Sequence, residues 1–170
     1  GAIGWDVYKG TEKVGSLKSI AEQPPFMPKP EMVRVGKKLV YDAVIIRPRD
    51  FDPAKKYPVI ESVYGGPHST MVRSSAWNYM LPQWLADQGF VVVSVDARGT
   101  PRRGRAWERA IKGDVMSAPL ADHVAALTLL GKQYPEMDLS RVGVTGWSFG
   151  GYFSAMAAMR RPDMYKAGVA

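Results

Sequence analysis

The sequence predicts an α/β fold: a mostly parallel sheet with helices on both faces. Three observations carry that reading. Past residue 30, β-rich runs alternate with helical ones, the order that builds helix-covered parallel sheets. Phe90 to Val95 (FVVVSV) is an unbroken apolar, β-branched run of the kind buried on both sheet faces. Gly146 to Gly151 (GWSFGG) joins a short apolar strand to a small-residue helix through a glycine-rich turn.

Taken in order, residues 1–38 are weakly patterned. Gln23 to Pro30 holds four prolines in eight residues, which blocks helix and favours an extended linker. The segment before it, with Trp5-Asp6-Val7-Tyr8 and Val14-Gly15-Ser16-Leu17, reads as the end of another unit, so residues 1–30 are expected to be a tail and linker and 31–170 a second domain. Leu39 to Ile46 is a strand ending at Arg47-Pro48, and Tyr57 to Tyr64 a second one, stopped by Gly65-Gly66-Pro67. A helix begins near Pro82, a residue tolerated in a first turn, and Gly89 caps it before the Phe90 strand. Asp122 is placed to N-cap a helix through Leu130, with Gly131 ending it. Arg141 to Thr145 is a short strand, Gly150 to Met159 a helix, and Tyr165 to Ala170 the last strand.

Composition limits the function. With 170 residues, 46% hydrophobic and 23% charged, the chain can bury one core and is not a disordered polymer. Cysteine is absent, which removes disulfides, thiolate metal sites and a cysteine nucleophile, and leaves open a cytoplasmic, periplasmic or secreted location. No apolar run approaches the roughly 18–20 residues of a membrane span. Net charge is +7, and +5 of it lies between Arg98 and Lys112, where Arg98, Arg102, Arg103, Arg105, Arg109 and Lys112 face only Glu108. A nucleic-acid surface would interleave such charges with stacking aromatics, and here there is only Trp107, so no nucleic-acid partner is expected. Neither metal-ligand spacing nor a phosphate loop is present, so no metal or cofactor is expected.

The chemistry concentrates at Ser148. Glycines two residues to either side of a serine, between strand and helix, match a nucleophile elbow. The bend holds the serine in a strained conformation, leaves no room for flanking side chains, and aims the helix N-terminus, with the Phe149 amide, where an oxyanion would form. A glycine-rich turn with an inert serine is the competing reading. Val63-Tyr64-Gly65-Gly66-Pro67-His68 follows a strand where hydrolases of this architecture place the second oxyanion donor. A hydroxyl needs a base, and in this fold the order is serine, acid, histidine. Both histidines, His68 and His123, precede Ser148. His68 reads as a loop residue, and His123 as a polar-face residue in a helix's first turn. Asp163, the one carboxylate after Ser148, reads as a cap or a solvated turn at a helix end. The general base and acid of a triad are therefore expected outside this chain, which reads as the N-terminal part of a catalytic domain, inactive by itself. Asp96, two residues before Arg98, reads as a structural ion pair or turn, and Trp77, Tyr79 and Trp84 as core or interface.

Together, VYGGP at 63–67, VDARGT at 95–100 and GWSFGGY at 146–152 resemble the prolyl oligopeptidase family of serine peptidases. Tryptophan before the serine is most similar to the dipeptidyl peptidase IV branch. The resemblance implies an α/β-hydrolase domain following a β-propeller, with residues 1–30 as the propeller's tail. It implies Ser148 as nucleophile, the Tyr64 hydroxyl and the Phe149 N–H as oxyanion donors, and Trp147 as a substrate contact. The implied reaction is peptide hydrolysis through an acyl-enzyme, releasing Xaa-Pro or Xaa-Ala dipeptides without cofactor or metal. The implied partners are peptides and the propeller, with a homodimer of the full-length protein left open. An esterase or acyltransferase on the same scaffold, an acylaminoacyl- or oligopeptidase specificity, and a non-enzymatic module using segment 98–112 are the alternatives.

Overall fold

Two sheets take up the strands of the described residues. The structure, a computed structural model, describes residues 4–22 and 24–170; residues 1–3 and Gln23 of the expected tail and linker lie outside the described residues. Strands β1 (Trp5–Lys9) and β2 (Glu12–Leu17) form an antiparallel hairpin with its own two-stranded sheet. The rest builds on β3 (Glu31–Val35), β4 (Tyr41–Ile46), β5 (Tyr57–Val63), α1 (Met80–Ala86), β6 (Val91–Asp96), α2 (Arg105–Arg109), α3 (Ser117–Gln133), β7 (Met137–Gly146), α4 (Phe149–Arg160) and β8 (Tyr165–Val169). A six-stranded sheet runs β3-β4-β6-β5-β7-β8. The β6–β5, β5–β7 and β7–β8 pairs are parallel, whereas β3–β4 and β4–β6 are antiparallel.

Period-two alternation sorts the strand side chains. Ala43, Ile45, Val59, Val93 and Val144 pack with Leu127 and Leu130 of α3 and Phe153 of α4. Val44, Ile46 and Val92 point the other way, onto Ala86 of α1 and Tyr79 just before that helix. Helices therefore lie on both faces, α3 and α4 on one and α1 over β4 and β6 on the other, and β6, which takes in Val91–Val95 of the FVVVSV run, is buried along its whole length.

The sequence reading gives no strand for β1, β2 or β3 and no helix for α2, and it misplaces the start of α3. That helix begins at Ser117, because Asp114 rather than Asp122 serves its first turn: Asp114 Oδ1 accepts the N–H groups of Met116 and Ser117, each at 2.9 Å. Asp122 lies inside α3 and is buried. Gly131 does not end the helix either. A β-carbon there would come within 3.0 Å of the Leu139 side chain, so this glycine lets α3 lie close on β7. Of the three aromatics, Tyr79 is core, Trp77 half-buried and Trp84 exposed.

Candidate active site

Strand β7 ends at Gly146 and α4 begins at Phe149, leaving Trp147 and Ser148 to make the turn. Ser148 has φ 58° and ψ −118°, a left-handed φ that side-chain-bearing residues rarely adopt and that costs on the order of 1–3 kcal/mol. The surroundings impose it. A β-carbon on Gly146 or on Gly150 would stand inside 3.0 Å of the Val63 carbonyl oxygen, so only glycine fits at either position. The helix closes at once, with the Gly151 and Tyr152 N–H groups donating to Ser148 O at 3.0 and 3.2 Å. The Phe149 N–H makes no hydrogen bond among the described residues and remains a free donor at the N-terminus of α4. Ser148 itself is exposed.

In the parallel β5–β7 register, Val63 stands opposite Gly146, which delivers the next residue, Tyr64, to the same sheet edge. The Tyr64 ring lies 5.8 Å from that of Phe149, tilted 41°. Gly66 passes so close to the Phe149 ring that a β-carbon would collide with it. Tyr64 and Ser148 both stand at one open, largely apolar hollow of about 910 Å³, which runs from Met71, Leu81 and Leu85 on the α1 side across the open sheet face of β5, β7 and β8 at Ile60, Thr145 and Val169. Trp147, 88% exposed, stands at its rim.

The loop after Tyr64 is tied down by a residue whose partner the sequence reading misassigned. Asp96, at the end of β6, does not pair with Arg98. Its Oδ1 accepts the Met71 N–H at 2.7 Å and its Oδ2 the Val72 N–H at 3.2 Å. Burial pushes the Asp96 carboxyl above the usual aspartate range, and these two bonds act against that rise. Tyr79 adds a second tether: its hydroxyl accepts the Arg73 N–H at 2.7 Å. Arg98 turns instead to Asp122, Nε to Oδ2 and Nη2 to Oδ1, both at 2.7 Å. The Tyr41 hydroxyl donates to the same carboxylate at 3.1 Å, and burial together with Asp122 pushes it up to about 12. Arg103 is also engaged, donating to Val40 O at 2.7 Å and lying 4.0 Å over the Trp107 ring, so part of the basic segment is committed within the fold.

His68 is an exposed loop residue at φ 75°. His123 is not on a polar face. With α3 starting at Ser117 it falls on the inner side, fully buried, its Nδ1 2.7 Å from Glu61 Oε1. The Tyr165 hydroxyl donates to Glu61 Oε2 at 2.7 Å. Glu61 was missed in the sequence, although the alternation Val59, Glu61, Val63 places it on a core-facing position where a carboxylate needs partners. Asp163 pairs with Arg161 at the end of α4, which holds its carboxyl down at about 2. Neither histidine lines the cavity. Among the described residues no cluster of three His, Cys, Asp or Glu side chains could hold a metal, and no helix is long and apolar enough to cross a membrane.

The profile of the prolyl oligopeptidase family matches residues 77–170. Dipeptidyl peptidase 8 of Mus musculus is 40% identical over 129 residues, 75% of this chain and 14% of its own length. Dipeptidyl-peptidase 5 of Porphyromonas gingivalis is 36% identical over 110 residues, 64% of this chain and 16% of its own. A solved structure from Bacteroides ovatus, assigned to dipeptidyl aminopeptidase IV, superposes with a TM-score of 0.70 at 32% identity, covering 82% of this chain and 20% of that one. The chain thus spans about a seventh of the length of the first of these relatives.

Proposed function

The chain belongs to the prolyl oligopeptidase family of serine peptidases, an α/β-hydrolase lineage, and from that premise we propose that Ser148 is the nucleophile of a dipeptidyl peptidase. The observation that carries the proposal is the exposed serine at φ 58°, locked between two irreplaceable glycines and opening on the same cavity as Tyr64. In the proposed reaction Ser148 Oγ attacks the scissile carbonyl carbon and its proton passes to a base. Negative charge gathers on the carbonyl oxygen, where the Tyr64 hydroxyl and the free Phe149 N–H donate to it. Collapse breaks the C–N bond as the base passes its proton to the departing amine, and leaves an acyl-enzyme, which water then hydrolyses.

The acid and histidine of the triad belong, on this reading, to parts of the protein outside these 170 residues, since His68 is exposed in a loop and His123 is held by Glu61. Residues 31–170 are part of the catalytic domain, and 1–30 the tail of a β-propeller with its linker. The 170 residues by themselves hydrolyse nothing. Trp147, exposed at the rim, offers its indole to the substrate. The names of the relatives, dipeptidyl peptidases, support release of dipeptides, and Xaa-Pro or Xaa-Ala as their identity is part of the proposal.

The test compares an Xaa-Pro anilide with a short-chain ester on the full-length protein. Anilide turnover abolished by Ser148→Ala, together with loss of fluorophosphonate labelling, is expected. Ester turnover without anilide turnover overturns the peptidase reading in favour of an esterase.

A further inference from the structure

Behind the elbow, sealed from solvent, lies a polar cluster that the proposed chemistry does not use. Glu61, His123 and Phe153 are 0% exposed and Tyr165 2%. Glu61 accepts two hydrogen bonds, from Tyr165 and His123, each 2.7 Å long. They tie β5 to β8 and α3. His123 Nε2 has no partner among the described residues, so the imidazole is kept here despite an unmet polar atom. Core filling alone would be served as well by an apolar side chain.

What the imidazole touches gives it a task. Its ring centroid is 4.7 Å from that of Phe153, on the second turn of α4. Gly65, at φ 71°, lies so flat on the Phe153 ring that a β-carbon would stand inside 3.0 Å of three ring carbons. Gly65 is the neighbour of Tyr64, and Glu61, on β5, lies three residues before Tyr64, which follows the strand's last residue, Val63. We propose that the Glu61–His123–Tyr165 cluster is a positioning device for the oxyanion donors: through Phe153 and Gly65 it fixes where the Tyr64 phenol stands relative to the start of α4. Glu61 holds the imidazole, the imidazole backs the phenyl ring, and the ring sets the height of the loop that carries Tyr64.

This inference rests on the role proposed for Tyr64, and its test separates the two. In the full-length protein, His123→Asn keeps a donor for Glu61 and removes the ring face against Phe153, while Phe153→Leu removes the other side of that contact. Each variant is made alone and with Tyr64→Phe, and turnover is measured on whichever substrate, anilide or short-chain ester, the enzyme accepts. A slight misplacement of a donor costs up to about 100-fold. We expect kcat to fall by about 10- to 100-fold with KM nearly unchanged in each single variant, and by less than about twofold when the same change is made on top of Tyr64→Phe, because a misplaced donor that is already gone costs nothing more. Equal losses with and without Tyr64, or no loss, overturn the proposal and leave the cluster merely structural. A Tyr64→Phe enzyme with the parent's rate overturns both it and the oxyanion role. If His123→Asn does not fold, Phe153→Leu decides.

Discussion

The carbonyl oxygen of Val63 occupies the space that a β-carbon on Gly150 would need. Because the obstacle is backbone within the β5–β7 pairing, neither side can give way cheaply. Gly150→Ala should destabilise the domain by about 1–3 kcal/mol, the usual range for overpacking, and abolish fluorophosphonate labelling of Ser148. Gly151→Ala is the control, since its β-carbon meets nothing nearer than 3.4 Å. It sits in a helix, where alanine is favoured over glycine by about 1 kcal/mol, so urea unfolding should show equal or greater stability. Equal damage from both substitutions would remove the steric argument.

Tyr64→Phe keeps the ring that leans on Phe149 and deletes only the hydroxyl. The melting temperature should hold, while kcat falls by about 100–1000-fold, the usual worth of one oxyanion donor. An unchanged rate takes Tyr64 out of the mechanism.

The elbow was legible in the sequence because its constraint is local: two glycines and a serine at fixed spacing say what the backbone must do. The buried strands were legible for a similar reason, as with FVVVSV. What the sequence concealed is long-range pairing. Asp96 and Arg98 look like partners two residues apart, as they would be on one face of a continuing strand, yet β6 ends at Asp96 and the chain turns over residues 97–100, with the Thr100 N–H donating to Ala97 O, so the two side chains part. Asp96 therefore reaches back to Met71, and Arg98 forward to Asp122 on α3. Misreading Asp122 as a cap then hid the inward face of α3, and with it the pairing of His123 and Glu61, which lie 62 residues apart.

Asp122 is 2% exposed and meets Arg98 through two charge-assisted bonds at 2.7 Å. Asp122→Ala leaves the Arg98 guanidinium and the Tyr41 hydroxyl without their acceptor. The Arg98 side chain is 30% exposed and can turn to water, so urea denaturation should show a loss of about 1–3 kcal/mol, that of a buried group left without its partner, rather than that of a fully buried pair. Asp122→Asn, which retains one acceptor oxygen, should cost clearly less. A loss under about 1 kcal/mol for the alanine variant would place this pair with exposed, weak ones.

Two sets of carboxylates give stability opposite pH dependences, in separate windows. Asp114, held by the Ser117 hydroxyl and N–H groups, and Asp138, held by Ser140 and Arg141, are both lowered from 3.8 to about 2. Their folded values lie below the unfolded ones, so the stability they confer is present above pH 3.8 and is lost as pH falls towards about 2. Asp96 runs the other way. Burial raises it above 3.8, with the His123 imidazole opposing and the Asp42 carboxylate adding to the rise. What it contributes is present below pH 3.8 and is lost as pH climbs through its folded value. Melting temperatures recorded against pH should therefore show Asp114→Asn flattening the acid limb. Asp96→Asn should differ from the parent by an amount that changes only above that limb. An Asp96→Asn curve parallel to the parent's at every pH would mean that Asp96 titrates alike in the folded and unfolded chains, and that burial beneath the Met71 loop does not act on its proton.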